Sequence, residues 1–212
     1  MNTAEVTTPD TDDAVASEDG RRLRRDRNRA AVVDALLQLY EEGNLQPSSD
    51  EIAVRAGLSP RSLFRYFDDI DDLCRAAISR QQERVLPLVM LDTSPEVSLD
   101  ERIAALVKQR VQLFEAIGSV GTVSRLRAPF QPLIAEELGQ SRHLFRAQIK
   151  RLFATELSAA GPARGPALLS ALDLLCSFES YQLLRDDQRL SRAKAAGVLT
   201  EALTTMLQAF AR

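Results

Sequence analysis

The segment running from Ser48 to Phe67 carries so many start and stop signals that its backbone has little choice. Ser48 and Glu51 form a Ser-x-x-Glu capping box, in which each side chain satisfies an amide that the first helical turn leaves orphaned. Ser59 followed by Pro60 is an equally good second start, because proline at the first helical position sacrifices no needed donor. Gly57 separates the two. Ile52, Ala53 and Ala56 give the first short helix an apolar face, and Leu63 and Phe67 give one to the second. Helices this short cannot bury themselves alone. Joined by a tight glycine turn and backed by a third helix, they make a helix-turn-helix, whose second member fits the DNA major groove.

The charge balance first argues against a nucleic-acid partner, since the 212 residues carry a formal charge of −3. Its distribution argues the other way. Residues 1–19 hold six acids (Glu5, Asp10, Asp12, Asp13, Glu18, Asp19) and no base, whereas residues 21–29 hold six arginines against Asp26 alone. Local field, not total charge, steers a polyanion. No apolar run approaches the length of a membrane span, and the acidic, polar N-terminus does not read as a secretory signal, so a cytoplasmic location is expected. Cys74 and Cys176 lie far apart among apolar residues and are read as buried thiols rather than a redox pair.

The rest of the chain reads as helix after helix, with no strand-like alternation and no internal repeat. Residues 1–20 are expected to be a disordered acidic tail, residues 21–78 a helix-turn-helix domain and residues 79–212 a second helical domain. The first helix begins within the arginine cluster and runs to about Glu42, with Val32, Val33, Leu36, Leu37 and Tyr40 at helical spacing. Asp69 caps a fourth helix that Pro87 is expected to stop. Ser98 and Glu101 form a second capping box, opening a helix that Gly118 and Gly121 are expected to break. A long helix spans roughly Leu133 to Leu157, residues 161–166 (Gly-Pro-Ala-Arg-Gly-Pro) read as a loop, and two regular helices follow near 166–186 and 191–210.

Residues 27–77 resemble the DNA-binding domain of the tetracycline-repressor (TetR) family, through Ile52-Ala53, Ala56-Gly57-Leu58-Ser59, Leu63-Phe64 and Tyr66-Phe67, followed by the acid-capped helix from Asp69. The remainder is similar in layout only. Two positions depart from the family pattern: Phe64 stands where tyrosine is usual and Ile70 where lysine is usual, which removes a hydroxyl and a cation that tend to contact phosphates. The resemblance implies an all-α regulator that binds double-stranded DNA as a homodimer, usually a repressor released by a small-molecule effector. It also implies that the last two helices form the interface, pointing to Leu172, Leu175, Glu179, Leu199, Leu203, Met206, Leu207 and Phe210.

Within the helix-turn-helix, Arg61 can offer a bidentate fork to a guanine edge, and Pro60 an apolar contact. Arg65 and Phe64 lie on the same short helix, while Ser49, Ser62 and Tyr66 suit phosphates, which position without specifying sequence. Arg21, Arg22, Arg24 and Arg25 are expected to form an arm reaching along the backbone or into a minor groove. In the second domain Arg110, Phe114, Arg127, Phe130, Phe145, Phe178 and Tyr181 are the expected effector contacts, Arg127 as an anchor for an anion, with Gln109 and His143 as further polar groups in apolar company. No cofactor or metal is expected and no enzymatic role. A carboxylate-bridged metal site wants Glu-x-x-His pairs, yet His143 is the sole histidine and no acid stands three residues before it. The competing reading is a helix-turn-helix regulator or architectural DNA binder with no small-molecule input. A cavity in the second domain is the feature that separates the two.

Overall fold

The computed structural model describes residues 11–210, with side chains described from Gly20 onward. Ten α-helices follow one another: α1 (Thr11–Glu41), α2 (Ser49–Arg55), α3 (Pro60–Leu63), α4 (Ile70–Val89), α5 (Leu99–Arg127), α6 (Pro132–Leu152), α7 (Ala154–Ala159), α8 (Gly161–Leu175), α9 (Phe178–Gln182) and α10 (Arg192–Gln208). A π-helical turn, Leu183–Asp187, extends α9. No strand occurs among the described residues, and no helix there is long and apolar enough to cross a membrane. The chain divides into two compact units between Ala77 and Ile78.

In the first unit the expected local signals are realised atom by atom. The Ser48 side chain accepts from the Glu51 amide while the Glu51 carboxylate accepts from the Ser48 amide at 2.8 Å. Ser59 caps α3 by accepting from the Ser62 amide, with Pro60 in the first turn. Gly57 adopts φ +70°, the left-handed conformation that glycine enters without cost. That twist lets the Leu58 amide reach the Ala53 carbonyl (2.9 Å) and the Gly57 amide reach that of Val54 (3.1 Å), the two bonds of a Schellman stop. Val32, Val33, Leu36, Leu37 and Tyr40 of α1 close over Ile52, Ala53, Leu63, Phe67 and Leu73, and every one is at least 96% buried.

Several boundaries differ from the sequence reading. The backbone of residues 11–20 is helical and continuous with α1, not a disordered tail; residues 1–10 lie outside the described residues. Pro87 does not stop α4, which continues to Val89. A proline this near a helix end forfeits only one ladder bond. The terminal carbonyls of Leu88 and Val89 are taken by Gln109 Nε2 (2.6 and 3.2 Å), and that of Val89 also by Gln148 Nε2 (2.8 Å). The segment 161–166 is the opening of α8 and not a loop. Pro162 sits in the first turn, where no donor is missed. A Cβ on Gly165 would come within 2.7 Å of the Leu157 carbonyl oxygen, so this glycine admits α7 against α8.

The expected helix from 133 to 157 is interrupted at Phe153 (φ −112°, ψ 29°), and the expected one from 166 to 186 at Cys176, where Ser177 caps α9. Gly118 alone departs from helical geometry inside α5 (φ +38°, ψ −128°), and the chain then resumes its helix to Arg127. Gly121, expected to break the helix, instead admits a neighbour: a Cβ there would meet the Phe178 ring at 2.9 Å.

The core of the second unit gathers Leu106, Leu113 and Phe114 of α5, Ile149 and Leu152 of α6, Leu172 of α8, and Leu199, Leu203 and Leu207 of α10. Two arginines are sunk in it. Arg102 makes a bidentate pair with Glu156 (3.0 and 2.7 Å), also donates to the Leu152 carbonyl (2.8 Å), and so fastens α5 to α7. Burial works to raise the Glu156 carboxyl, but the guanidinium outweighs it and holds the group below its ordinary range. Arg110 is fully buried without a carboxylate on it. Its donors go to Gln109, to Gln148 Oε1 (3.0 Å) and to the Phe145 carbonyl (3.2 Å), its Nε has no partner, and burial brings its pKa down to about 10.

Candidate DNA-reading face and ligand cavity

In the first unit, α3 sits on Leu63, whose complete burial fixes the helix and turns its remaining residues outward. Pro60, Arg61, Phe64 and Arg65 are exposed; Ser49, Ser62 and Tyr66 are partly so. Neither Arg61 nor Arg65 makes an ion pair among the described residues, which leaves both forks open to a polyanion. Ser62 Oγ is engaged with the capping Ser59 Oγ at 2.9 Å. Phe64 presents half of its ring surface to solvent and no hydroxyl.

Tyr66 is braced from α1. Asn28 Nδ2 donates to the Tyr66 hydroxyl oxygen at 2.8 Å, Arg29 donates to the Tyr66 carbonyl at 3.3 Å, and the Arg29 guanidinium lies 4.5 Å from the centre of the Phe67 ring. Because the tyrosine oxygen accepts from Asn28, its own proton remains available to a phosphate. Asn28 and Arg29 were not singled out in the sequence. Their role depends on α1 crossing the end of the helix-turn-helix, a contact over more than 35 residues that no local pattern announces. Arg21, Arg22, Arg24 and Arg25 are exposed, but they ride on the helical backbone of α1. The arm expected ahead of the first helix is therefore an exposed, charged surface of α1 itself.

The second unit contains a cavity of about 750 Å³ between α4, α5, α6, α8 and α9. Of the expected effector contacts, Phe114, Phe145 and Phe178 line it. The other four do not. Arg110 lies in the wall behind Phe145, with its guanidinium 4.5 Å from that ring's centre. Tyr181 packs on Phe114 (centroids 5.8 Å apart) and donates to Glu115 Oε1 at 2.5 Å; burial first, then that carboxylate, push its pKa up to about 12. Phe130 is 84% exposed after the end of α5, and Arg127 in the last turn of α5 is likewise absent from the lining. His143 is exposed on α6, and Gln109 spends its amide on the end of α4.

Sequence reasoning missed Gln81, Val85 and Val89 of α4, which line the cavity. It also missed the charged rim. Glu179, expected at a dimer interface, instead receives Arg125 (2.9 Å) and Arg142 (2.7 Å) at the cavity edge. Burial opposes its ionisation, yet these bonds prevail and bring its pKa to about 2. Leu172, Leu199, Leu203 and Leu207, also expected at that interface, are 0–3% exposed in the chain's own core. Their regular spacing is that of an inward face. Leu175, Met206 and Phe210 pack partly against the same core. Cys176 lines the cavity, and its burial pushes the thiol up to about 12. Cys74 is buried beside the Tyr40 hydroxyl, 3.2 Å away.

Comparison with known proteins bears on both units. Residues 32–77 match the family model described as bacterial regulatory proteins, tetR family. Among solved structures, the chain is similar to a tetR-family transcriptional regulator from Streptomyces coelicolor, with 21% identity, TM-score 0.65, and 88% of this chain and 82% of that one covered. It is also similar to the multidrug binding protein EbrR complexed with imidazole, with 20% identity, TM-score 0.54 and coverage of 84% and 94%. A TetR transcription regulator from Haloarcula marismortui aligns at 14% identity and TM-score 0.56, with 87% and 98% covered. At such identities the likeness is one of fold. No curated protein matches the sequence.

Proposed function

Since the chain carries a tetR-family DNA-binding domain at residues 32–77 in an all-helical fold like that of tetR-family regulators, we propose that it is a ligand-released repressor. In this reading it binds a palindromic operator as a homodimer. The cavity carries the proposal, because a regulator without a small-molecule input has no use for about 750 Å³ of mainly apolar space inside its second unit. Arg61 and Arg65 supply base and phosphate contacts, Tyr66 a phosphate contact held by Asn28, and the arginines of α1 a further positive surface.

The dimer forms through the outward faces of α8 and α10, which pack on one another. Val198 (44% exposed) is an apolar side chain that needs such a cover, and small, exposed Gly197 and Ala167 let a second copy approach. They replace the leucines that the core already uses. The signal travels along α4, whose first two turns belong to the DNA-binding unit and whose later turns line the cavity. A ligand that favours a second position of α4 changes the separation of the two recognition helices. Half-sites about 34–36 Å apart are then no longer matched. A near-complete switch requires about 5.5 kcal/mol of difference in ligand affinity between the two states.

The test is selection of bound fragments from genomic DNA by the purified protein, with affinity then measured against salt. A palindromic site, and a log–log salt slope near −7 for about eight neutralised phosphates, is the expected result. Equal affinity for all duplexes, or a protein that stays monomeric on DNA, would overturn the reading. Replacing Val198 by glutamate should yield a monomer by light scattering and abolish operator binding.

A further inference from the structure

The charged side chains around the cavity are all partly or fully exposed and stand at its rim, engaged with one another or with a neighbouring amide. Arg125 and Arg142 converge on Glu179, and Arg125 also donates to the Gly121 carbonyl at 3.0 Å and lies 4.2 Å from the centre of the Phe178 ring. Arg146 pairs with Asp173 at 3.0 Å, and Glu137 accepts from Gln82 at 3.3 Å. The charged residues that line the cavity, three arginines and three acids, sum to zero. Arg110, the one buried cation without a carboxylate among the described residues, is absent from the lining and stacks on Phe145, which is part of it. An ion seated in the buried, apolar part of the cavity would lose its water with no charged side chain beside it, which is a severe penalty.

One polar atom on a buried side chain of the lining has no partner. Gln81 is 91% buried and lines the cavity, and its amide nitrogen is spent on the Ala116 carbonyl at 2.6 Å. The identity of that atom is fixed chemically, because a carbonyl oxygen receives only from a donor. Gln81 Oε1 is therefore the free end, an acceptor without a hydrogen on it. Serines nearby are largely engaged: Ser124 donates to the Val120 carbonyl, and Ser177 caps α9.

We propose that the cavity takes an uncharged, chiefly apolar small molecule carrying one hydrogen-bond donor, a hydroxyl or an N–H, which Gln81 Oε1 accepts. The inference rests on the effector reading above and narrows it. The anionic ligand expected from Arg127 is replaced by a neutral one. Gln81 belongs to α4 and holds α5 two residues before the non-helical Gly118, so a donor seated on it touches the helix that leads to the DNA-binding unit.

The experiment measures binding of four compounds of one chain length to the purified full-length protein, by calorimetry and by thermal shift. They are 1-decanol, its methyl ether, decanoate and decylammonium. The alcohol is expected to bind saturably, at least tenfold more tightly than either ion and several-fold more tightly than the ether. In Gln81→Leu the alcohol and the ether should bind alike. That ratio is insensitive to a general loss of stability, and the comparison with the ions uses the unaltered protein. An ion that binds as well as the alcohol would overturn the ligand class while leaving the effector reading in place, decanoate then pointing to Arg110. An alcohol-to-ether preference that survives Gln81→Leu would overturn the role of Gln81. If none of the four binds and none releases selected DNA, both this inference and the effector reading fall.

Discussion

The two units of this chain are built on different logics. The first takes the course of its backbone from neighbours in sequence, with a capping box over residues 48–51, a Schellman stop around Gly57, a proline start at 60 and an apolar stripe along α1, and adds a few distant contacts such as Asn28 with Tyr66. The second is held by partners that lie 20 to 70 residues apart, such as Arg102 with Glu156, Gln81 with Ala116, Gln148 with Val89 and Tyr181 with Glu115. A surface that must meet a duplex of fixed shape can be specified by short, repeatable signals. A cavity must be shaped from five helices at once, and its walls are settled only when all have packed.

Four substitutions break or sharpen that contrast. The largest effect is expected from Arg102→Ala, which leaves Glu156 charged and buried; loss of about 3–5 kcal/mol should appear in urea unfolding. Replacing Arg102 by methionine and Glu156 by leucine together should recover most of that loss, since it removes both charges. Gly121→Ala should cost about 1–3 kcal/mol by the same measurement, because its methyl must displace the Phe178 ring, and it should also weaken ligand binding by narrowing the cavity. In the first unit, Gly57→Ala should cost about 1–2 kcal/mol for holding an alanine at positive φ, in agreement with a purely local origin.

The smallest effect is at the cavity rim. Glu179→Gln should lower stability by less than about 1 kcal/mol, as expected for ion pairs with much solvent around them. Its pH dependence is more diagnostic than its size. The folded-state pKa of about 2 lies below that of an unfolded glutamate near 4.3, so the advantage of the native residue is complete above that value. It should shrink as pH falls from about 4 toward 2. A difference between the two proteins that vanishes already at pH 5 would show that Arg125 and Arg142 do not hold this carboxylate.

The same contrast decides what was legible in the sequence. The helix-turn-helix could be read almost residue by residue, because caps, stops and turns act within four positions of one another. Boundaries in the second unit were misread where proline and glycine serve packing: Pro162 opens a helix and Pro166 lies inside it, Gly165 and Gly121 admit a neighbour, and only Gly118 bends the chain. The periodic leucines of α10 were read as facing a second copy, but periodicity gives one apolar face without saying what covers it. Among the expected ligand contacts, phenylalanines were found more often than arginines. A large ring fills space wherever helices converge, whereas an arginine's role depends on which carbonyls and acids the fold brings to it.

The left-handed step at Gly118 has a bearing on how such a protein diversifies. That residue does not line the cavity, yet its two torsion angles set the course of the rest of α5, including Val120, Ser124 and Arg125 in the wall. Any side chain at position 118 would favour a straight α5 and carry that stretch of wall to a new place, although nothing stands within 4 Å of a Cβ there. The bore of the chamber, and with it the range of molecules that it can admit, is thus adjustable from a site that does not line it.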